Sequence, residues 1–322
     1  MFLYENWYIL SMVKKGGKEK GDTSKEANPN EAVNKADIGS LEAKVIELER
    51  EKSQLEERIT NLTARKAIVH DFDGESVKIG LISDTHMGSI YDNIGFLCSA
   101  YKEFKKGGIT RVYHAGDIVD GQDNYPGQHY EQYAVGFDAQ LENIIEKYPK
   151  EDGIETFFIE GNHSFKKTSG AIIGKAISNR RPDLIFVGVE EADILIGSKK
   201  KYIKLRLLHP SGGTAYAISY NSQKFAEAIE SGTKPNILAI GHYHKAETLH
   251  NYRGIEIFQA GCIQRQTPFM RARKSPAMIG FRILDITIDK WGVNHIREEF
   301  FPWYDRSKVI DLRTEVTDLR TD

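Results

Sequence analysis

The sequence predicts a layered α/β domain with a coiled-coil helix ahead of it, and three observations lead there. Five runs of β-forming residues, Val77–Ser83, Thr110–Ala115, Ile154–Glu160, Tyr202–Leu208 and Asn236–Ile240, each lead into a short polar motif. Segments of helical length and periodicity follow or separate them, at about Asn93–Lys106, Glu131–Lys147, Ser169–Asn179 and Thr214–Glu230. Strands that alternate with helices build sheets whose faces the helices cover. Upstream, Leu41, Leu48, Leu55 and Leu62 recur every seven residues.

From the N-terminus, residues 1–38 read as a flexible segment. Met1–Leu10 is apolar but too short to span a bilayer, and it lacks the basic start and small-residue cleavage site of a secretory signal. Met12 is an alternative natural start. Lys14–Asp37 holds almost no large apolar residues, too few to offset the entropy of ordering. Residues 39–68 read as a coiled-coil helix. With the leucines at d, Val45, Lys52, Ile59 and Lys66 take the a positions. β-Branched a with Leu d favours two parallel strands, and Lys52 in the seam lowers stability while fixing register. A homodimer through residues 41–66 is therefore expected; the alternative is an amphipathic helix packed on its own domain. Residues 69–304 carry the strand–helix alternation, with further strands near Asp193–Ile196, Ile255–Gln259 and Ile279–Ile288. Residues 305–322 form a polar tail.

Composition narrows the class. In 322 residues, 40% hydrophobic and 28% charged content suits a soluble globular protein. A formal net charge of −2 excludes nucleic-acid binding by a global basic field, though not by a local basic groove. Cys98 and Cys262 are too few for a disulfide framework and suit a reducing compartment, so a cytoplasmic protein with no membrane partner is expected. Both cysteines read as packing residues.

The chemistry sits in the motifs at the strand ends. They are Asp84-Thr85-His86, Gly116-Asp117, Gly161-Asn162-His163, His209-Pro210 and Gly241-His242-Tyr243-His244. If the strands continue through them, Asp84 and His86 project to one face, as do His242 and His244. Carboxylate, amide and imidazole groups gathered on one rim suit two divalent cations. His114, on the strand before Asp117, reads as a packing or supporting residue, and His129 marks a surface or substrate-contacting loop.

The order D-x-H, G-D-x-x-D (Gly116, Asp117, Asp120), G-N-H, H, G-H-x-H resembles the calcineurin-like metallophosphoesterase superfamily, over roughly residues 77–300. The zipper and the basic segment after Gly261 resemble its DNA-repair exonuclease branch. The resemblance implies a four-layer sandwich of two mixed β-sheets flanked by helices, with metals at the strand ends. It implies that Asp84, His86 and His244 hold one metal, that Asn162, His209 and His242 hold the other, and that Asp117 bridges them. It further implies a hydroxide between the metals as nucleophile, His163 as general acid, and Asp120 as hydrogen-bond acceptor for a ligating histidine. One departure stands out: the family usually has an acidic residue where this chain has Ser164. Mn²⁺ is the first choice of metal, with Fe²⁺, Ni²⁺ and Zn²⁺ compatible.

Substrate contacts are expected from Lys166 and Lys167, and from Arg265, Phe269, Arg271 and Arg273, a basic stretch with one aromatic suited to a nucleic-acid backbone. Pro210–Thr214 is expected to open a helix whose free N–H groups hold a phosphate. The function read from all this is metal-dependent hydrolysis of phosphodiesters in nucleic acid. The alternatives are a phosphomonoesterase and a dimeric scaffold without activity.

Overall fold

The computed structural model describes residues 40–41, 43–52, 68–163, 165 and 171–304. The chain divides into two compact units, Met1–Asn61 and Leu62–Asp322. In the first unit, the described residues from 40 to 52 are helical, and Leu41, Val45 and Leu48 of the heptad seam are exposed. Of the remaining seam positions Lys52 is described, whereas Leu55, Ile59, Leu62 and Lys66 lie outside the described residues, as does the polar tail at 305–322.

The second unit is built on two mixed sheets, each of six strands among the described residues. One contains β2 (Ser76–Ile82), β3 (Arg111–His114), β4 (Glu155–Ile159), β5 (Leu184–Gly188), β11 (Gly280–Asp289) and β12 (Gly292–Pro302), in the order β12-β11-β2-β3-β4-β5. β2 to β5 run parallel, and β11 pairs antiparallel with β2 and β12. The other contains β1 (Ile68–Asp71), β6 (Glu191–Gly197), β7 (Tyr202–Leu208), β8 (Ile237–Ile240), β9 (Ala246–Tyr252) and β10 (Ile255–Ala260), in the order β1-β6-β7-β8-β10-β9. β7, β8 and β10 are its parallel centre.

Alternation along each strand sorts the core into layers. Ile79, Leu81, Tyr113, Phe157 and Ile159 point between the sheets and meet Ile194, Ile203, Leu205, Leu207 and Phe258 from the opposite sheet. Their neighbours Ile82, Val112 and Phe158 point outward under α1 (Ile94–Lys106), α2 (Phe137–Lys147) and α3 (Ile173–Arg180), where Leu97, Phe104, Ile144 and Ile177 cover them. On the far side Phe225 and Ala226 of α4 (Tyr220–Ala228) cover Leu238, Ile240, Ile255 and Ile257. The result is the expected four-layer sandwich. Each fully buried Ile, Leu or Phe contributes about 1.5–3 kcal/mol.

α1 starts where its sequence says. Asn93 caps it by accepting from the Phe96 N–H, and Lys105 and Lys106 complement its last turn. Three helices start later than expected, α3 at Ile173 rather than about Ser169. α2 begins at Phe137 rather than Glu131, because Gly136 at φ 88° cannot continue a right-handed helix, and Gln128–Glu131 makes only a 3₁₀ turn. α4 begins at Tyr220 rather than Thr214. The expected phosphate-holding helix end at Pro210–Thr214 is therefore not formed. No described helix is long and apolar enough to cross a membrane.

Candidate metal centre

The motif residues sit just beyond the strand ends, and their backbone is not extended. Asp84 (φ 52°), His86 (φ 44°), Asp117 (φ 55°), His242 (φ 78°) and His244 (φ 54°) all occupy the left-handed region. This corrects the expectation that strand alternation aims Asp84 with His86 and His242 with His244. Left-handed turns aim them instead, at a cost of about 1–3 kcal/mol each for a non-glycine residue. Cross-strand bonds hold the turns: Asp84 N–H donates to Gly116 O (2.9 Å), and His86 N–H to Asp117 O (3.0 Å). Behind them, Gly116 N–H donates to His114 Nδ1 (3.2 Å), which leaves the proton on Nε2, 3.1 Å from Thr85 Oγ1. The Thr85 hydroxyl then donates to Ile118 O (2.9 Å). Burial lowers the pKa of His114 to about 3, so it stays neutral in this relay. Two glycines are required by proximity. A Cβ on Gly116 would enter the His209 ring, and one on Gly161 would strike Asp117.

The side chains converge in two sets. In the first, His244 Nε2 is 3.2 Å from Asp84 Oδ1 and 3.3 Å from His86 Nε2. In the second, His209 Nε2 is 2.9 Å from Asp117 Oδ2 and 3.1 Å from Asn162 Oδ1. Donor atoms of Asp117, His209 and His242 all lie within 4.8 Å of one another, as do those of Asp84, His86 and His244. Asp117 stands between the sets, its Oδ2 also 3.7 Å from His86 Nε2. Asp84 is steadied by the His242 N–H, which donates to its carboxylate oxygens at 3.0 and 3.2 Å.

Proton positions show what the centre lacks. His209 Nδ1–H donates to Ala115 O (2.6 Å), so its Nε2 lone pair points at two oxygen acceptors. His242 Nε2–H donates to Gly212 O (2.6 Å), leaving the lone pair on Nδ1. Asp120 Oδ1 lies 3.3 Å from His86 Nδ1, an ion-pair distance that favours a proton on Nδ1. Nitrogen and oxygen atoms this close need a positive charge between them, supplied by protons on the imidazoles in the metal-free protein and equally well by a divalent cation in their place. Burial lowers the pKa of His86, but Asp120, Asp84 and Asp117 outweigh it and hold it at about 10. Burial likewise opposes Asp117 and Asp84 at His209, which is held at about 9. Despite burial, the neighbouring histidines hold Asp84 and Asp117 well below the usual carboxylate range. Oxygen and imidazole donors in this arrangement fit divalent cations.

His163 is anchored on both sides. Its N–H donates to Asp117 Oδ1 (2.8 Å), its Nδ1–H donates to Asp120 O (2.8 Å), and its ring meets His86 edge to face at 4.5 Å. Burial lowers its pKa, against the pull of Asp117. Ser164, Lys166 and Lys167 lie outside the described residues. Arg265 is engaged elsewhere than expected: its guanidinium donates to Ile90 O (2.7 Å) and Asp92 O (3.2 Å), pinning backbone. The basic stretch is partly helical, as α5 (Pro268–Ala272), capped by Thr267. Its Phe269 stacks on Tyr125 at 5.1 Å, with the Arg273 guanidinium 4.5 Å from its ring, and Arg271 is exposed. Sequence reasoning missed Gln128, Gln132 and Gln140, buried amides around Asp120 and Gly121 that belong to no motif.

Fold and cluster together define a phosphoesterase-type sandwich. A calcineurin-like phosphoesterase superfamily domain matches residues 77–275, and the chain belongs to that family. It is similar to the DNA polymerase II small subunit of Halobacterium salinarum (strain ATCC 29341 / DSM 671 / R1), at 24% identity over 66% of this chain and 49% of that protein. The chain thus spans about half the length of the curated relatives it matches. Among solved structures, a predicted phosphoesterase from Streptococcus pneumoniae TIGR4 aligns at 16% identity and TM-score 0.35, covering 71% of this chain and 98% of that one. Vacuolar protein sorting 29 from Cryptosporidium parvum aligns at 16% identity and TM-score 0.38, covering 71% and 100%.

Proposed function

We propose that the domain is a phosphodiesterase that cuts nucleic acid with two divalent cations. Asp84, His86 and His244 would hold one, Asn162, His209 and His242 the other, and Asp117 would reach both. The observation that carries this reading is the convergence of two buried carboxylate–imidazole sets, Asp84 with His86 and His244 and Asp117 with His209 and His242, each with donor atoms within 4.8 Å of one another, and with Asn162 Oδ1 3.1 Å from His209 Nε2. Bound cations supply Lewis acidity toward phosphoryl oxygens and make water nucleophilic near neutral pH. Mn²⁺ is the first choice because the set holds no thiolate, and Fe²⁺, Ni²⁺ and Zn²⁺ also match it.

The chain's own residues do the rest. Asp117 accepts from His163 N–H, so the metal-holding carboxylate and the general acid move as one body. His163 keeps its Nδ1 proton on Asp120 O, which leaves Nε2 to carry a proton to the leaving oxygen. Nucleic acid is favoured by the matched relative, named as a DNA polymerase subunit, and by Arg271 and Arg273 beside the Phe269–Tyr125 stack. That same name supports a second reading, in which the domain serves as a subunit without activity. Purified protein with Mn²⁺ is offered bis-aryl phosphate, mono-aryl phosphate, and single- and double-stranded DNA. Diester and DNA cleavage is expected. Cleavage of the monoester alone overturns the proposal, and no cleavage with any of the four metals supports the subunit reading.

A further inference from the structure

Asp120 touches both histidines that the proposed reaction depends on, and does so with different atoms. Its Oδ1 faces His86 Nδ1 at 3.3 Å, and its backbone carbonyl accepts from His163 Nδ1 at 2.8 Å. Whatever fixes Asp120 therefore fixes the proton positions of a ligand and of a general acid together.

Three glutamines from the segment that follows surround it, and all are buried, at 1% exposure for Gln128, 9% for Gln132 and 0% for Gln140. Gln128 Nε2 donates to Asp120 Oδ2 (2.9 Å) and to Asp120 O (2.8 Å). Gln132 Nε2 donates to Asp120 Oδ2 (2.6 Å) and Gly121 O (2.8 Å). Gln140 grips the next peptide from both ends: its Oε1 accepts from Gly121 N–H (2.9 Å) and its Nε2 donates to Gly121 O (2.7 Å). Gln128 is held in turn by Asn124, whose N–H donates to its Oε1 (2.8 Å). The outcome is asymmetric. Oδ2 is filled by two amides, so Oδ1 alone is left for His86.

The choice of amide has a chemical consequence. A lysine or arginine at these positions would also satisfy Oδ2, but it would neutralise the carboxylate. Neutral donors anchor the anion and leave its charge to act on His86, raising the basicity of Nε2. The same amides hold the Asp120–Gly121 peptide, so its carbonyl stays aimed at His163.

We propose that Gln128, Gln132 and Gln140 form a positioning clamp that, through Asp120, sets the tautomers of His86 and His163. Both keep Nδ1–H and present Nε2 to the centre. The His163 part rests on the hydrolytic reading; the His86 part needs only a bound cation.

The test uses the full chain with ¹⁵N-labelled histidine, loaded with Zn²⁺ so that imidazole nitrogens are visible by NMR, alongside the Mn²⁺-loaded protein for kinetics. Gln132→Met keeps volume and removes the donor; Gln132→Glu keeps shape and puts an acceptor against Asp120. Gln140→Met, which removes hydrogen bonds only to Gly121 and Ala134 O, is the milder variant if either of the others fails to fold. In the wild type, His86 and His163 should show protonated Nδ1. In folded Gln132→Met, the His163 signals should move toward the Nε2–H tautomer. Zn²⁺ affinity should fall about 10-fold or more, and kcat should fall with KM nearly unchanged. Gln132→Glu should do the same, and Gln140→Met less. Unchanged imidazole signals in folded Gln132→Met overturn the clamp, whether or not kcat drops. Shifted signals in a protein that cuts no phosphate ester keep the clamp and sink the hydrolytic reading instead.

Discussion

His163 and Asp117 are joined by one hydrogen bond, yet their removal should have opposite signatures. His163→Ala is expected to retain both cations by elemental analysis. It should lose about 10²–10⁴-fold in kcat on a diester with a poor leaving group. Asp117→Ala should retain fewer than two cations, because it withdraws the carboxylate that faces both His86 and His209. The metal-free protein should also respond to pH through these imidazoles. His86 and His209 are held at about 10 and about 9, above the 6.5 of an ordinary histidine. Their protonation stabilises the folded form fully below pH 6.5, and that contribution disappears as pH rises through 9 to 10. Urea unfolding of the metal-free protein should therefore show stability falling across that window, and saturating Mn²⁺ should remove the fall.

Which residues were legible in sequence depends on whether chemistry alone could name them. Asp84, His86, Asp117, Asn162, His209, His242 and His244 stand in ordered motifs, and the fold brings them together, Asn162 through its contact with His209. How they are aimed was not legible, because a left-handed turn at Asp84 or His242 leaves no mark in composition. Arg265 shows the opposite failure. An arginine in a basic stretch reads as a substrate contact, and nothing in sequence reveals that its guanidinium is satisfied by the carbonyls of Ile90 and Asp92.

At the scale of elements, the strands divide by position. The central ones, such as Ile237–Ile240, are apolar on both faces and announce themselves as uninterrupted runs. β1, β9 and β12 carried no such signal, and they are three of the four sheet edges; β5, the fourth, is an apolar run, Leu-Ile-Phe-Val-Gly, that the sequence reading passed over. An edge strand is half solvated, so its residues drift toward polarity, as in Ala-Glu-Thr-Leu-His-Asn-Tyr of β9. The connections that place the site are less forgiving than these edges. Gly161→Ala combines a φ of 88° with a Cβ driven into Asp117. It should cost at least about 1–3 kcal/mol in urea unfolding and weaken Mn²⁺ binding at the same time. Phe104→Ala, on the buried face of α1, should cost about 3–5 kcal/mol with unchanged metal stoichiometry.

For the whole molecule, the heptad seam raises the question of assembly. Exposed Leu41, Val45 and Leu48 on a helix are a seam without a cover among the described residues. Sedimentation should find the intact chain as a dimer and a chain starting at Ala67 as a monomer; two monomers would dismiss the coiled coil. Cation loading should raise the melting temperature of either form, since a ligand at 100 times its Kd adds about 2.7 kcal/mol.

The rims of the sandwich bear on how such a protein behaves when crowded. β12 presents Arg297 and Glu299 along its course and closes on Pro302, which has no amide proton to offer a visitor. A stray extended peptide arriving there meets charge before it meets backbone. Ribbon-like stacking of one copy onto another is thereby discouraged, and concentrated solutions of the isolated domain should stay clear rather than gel.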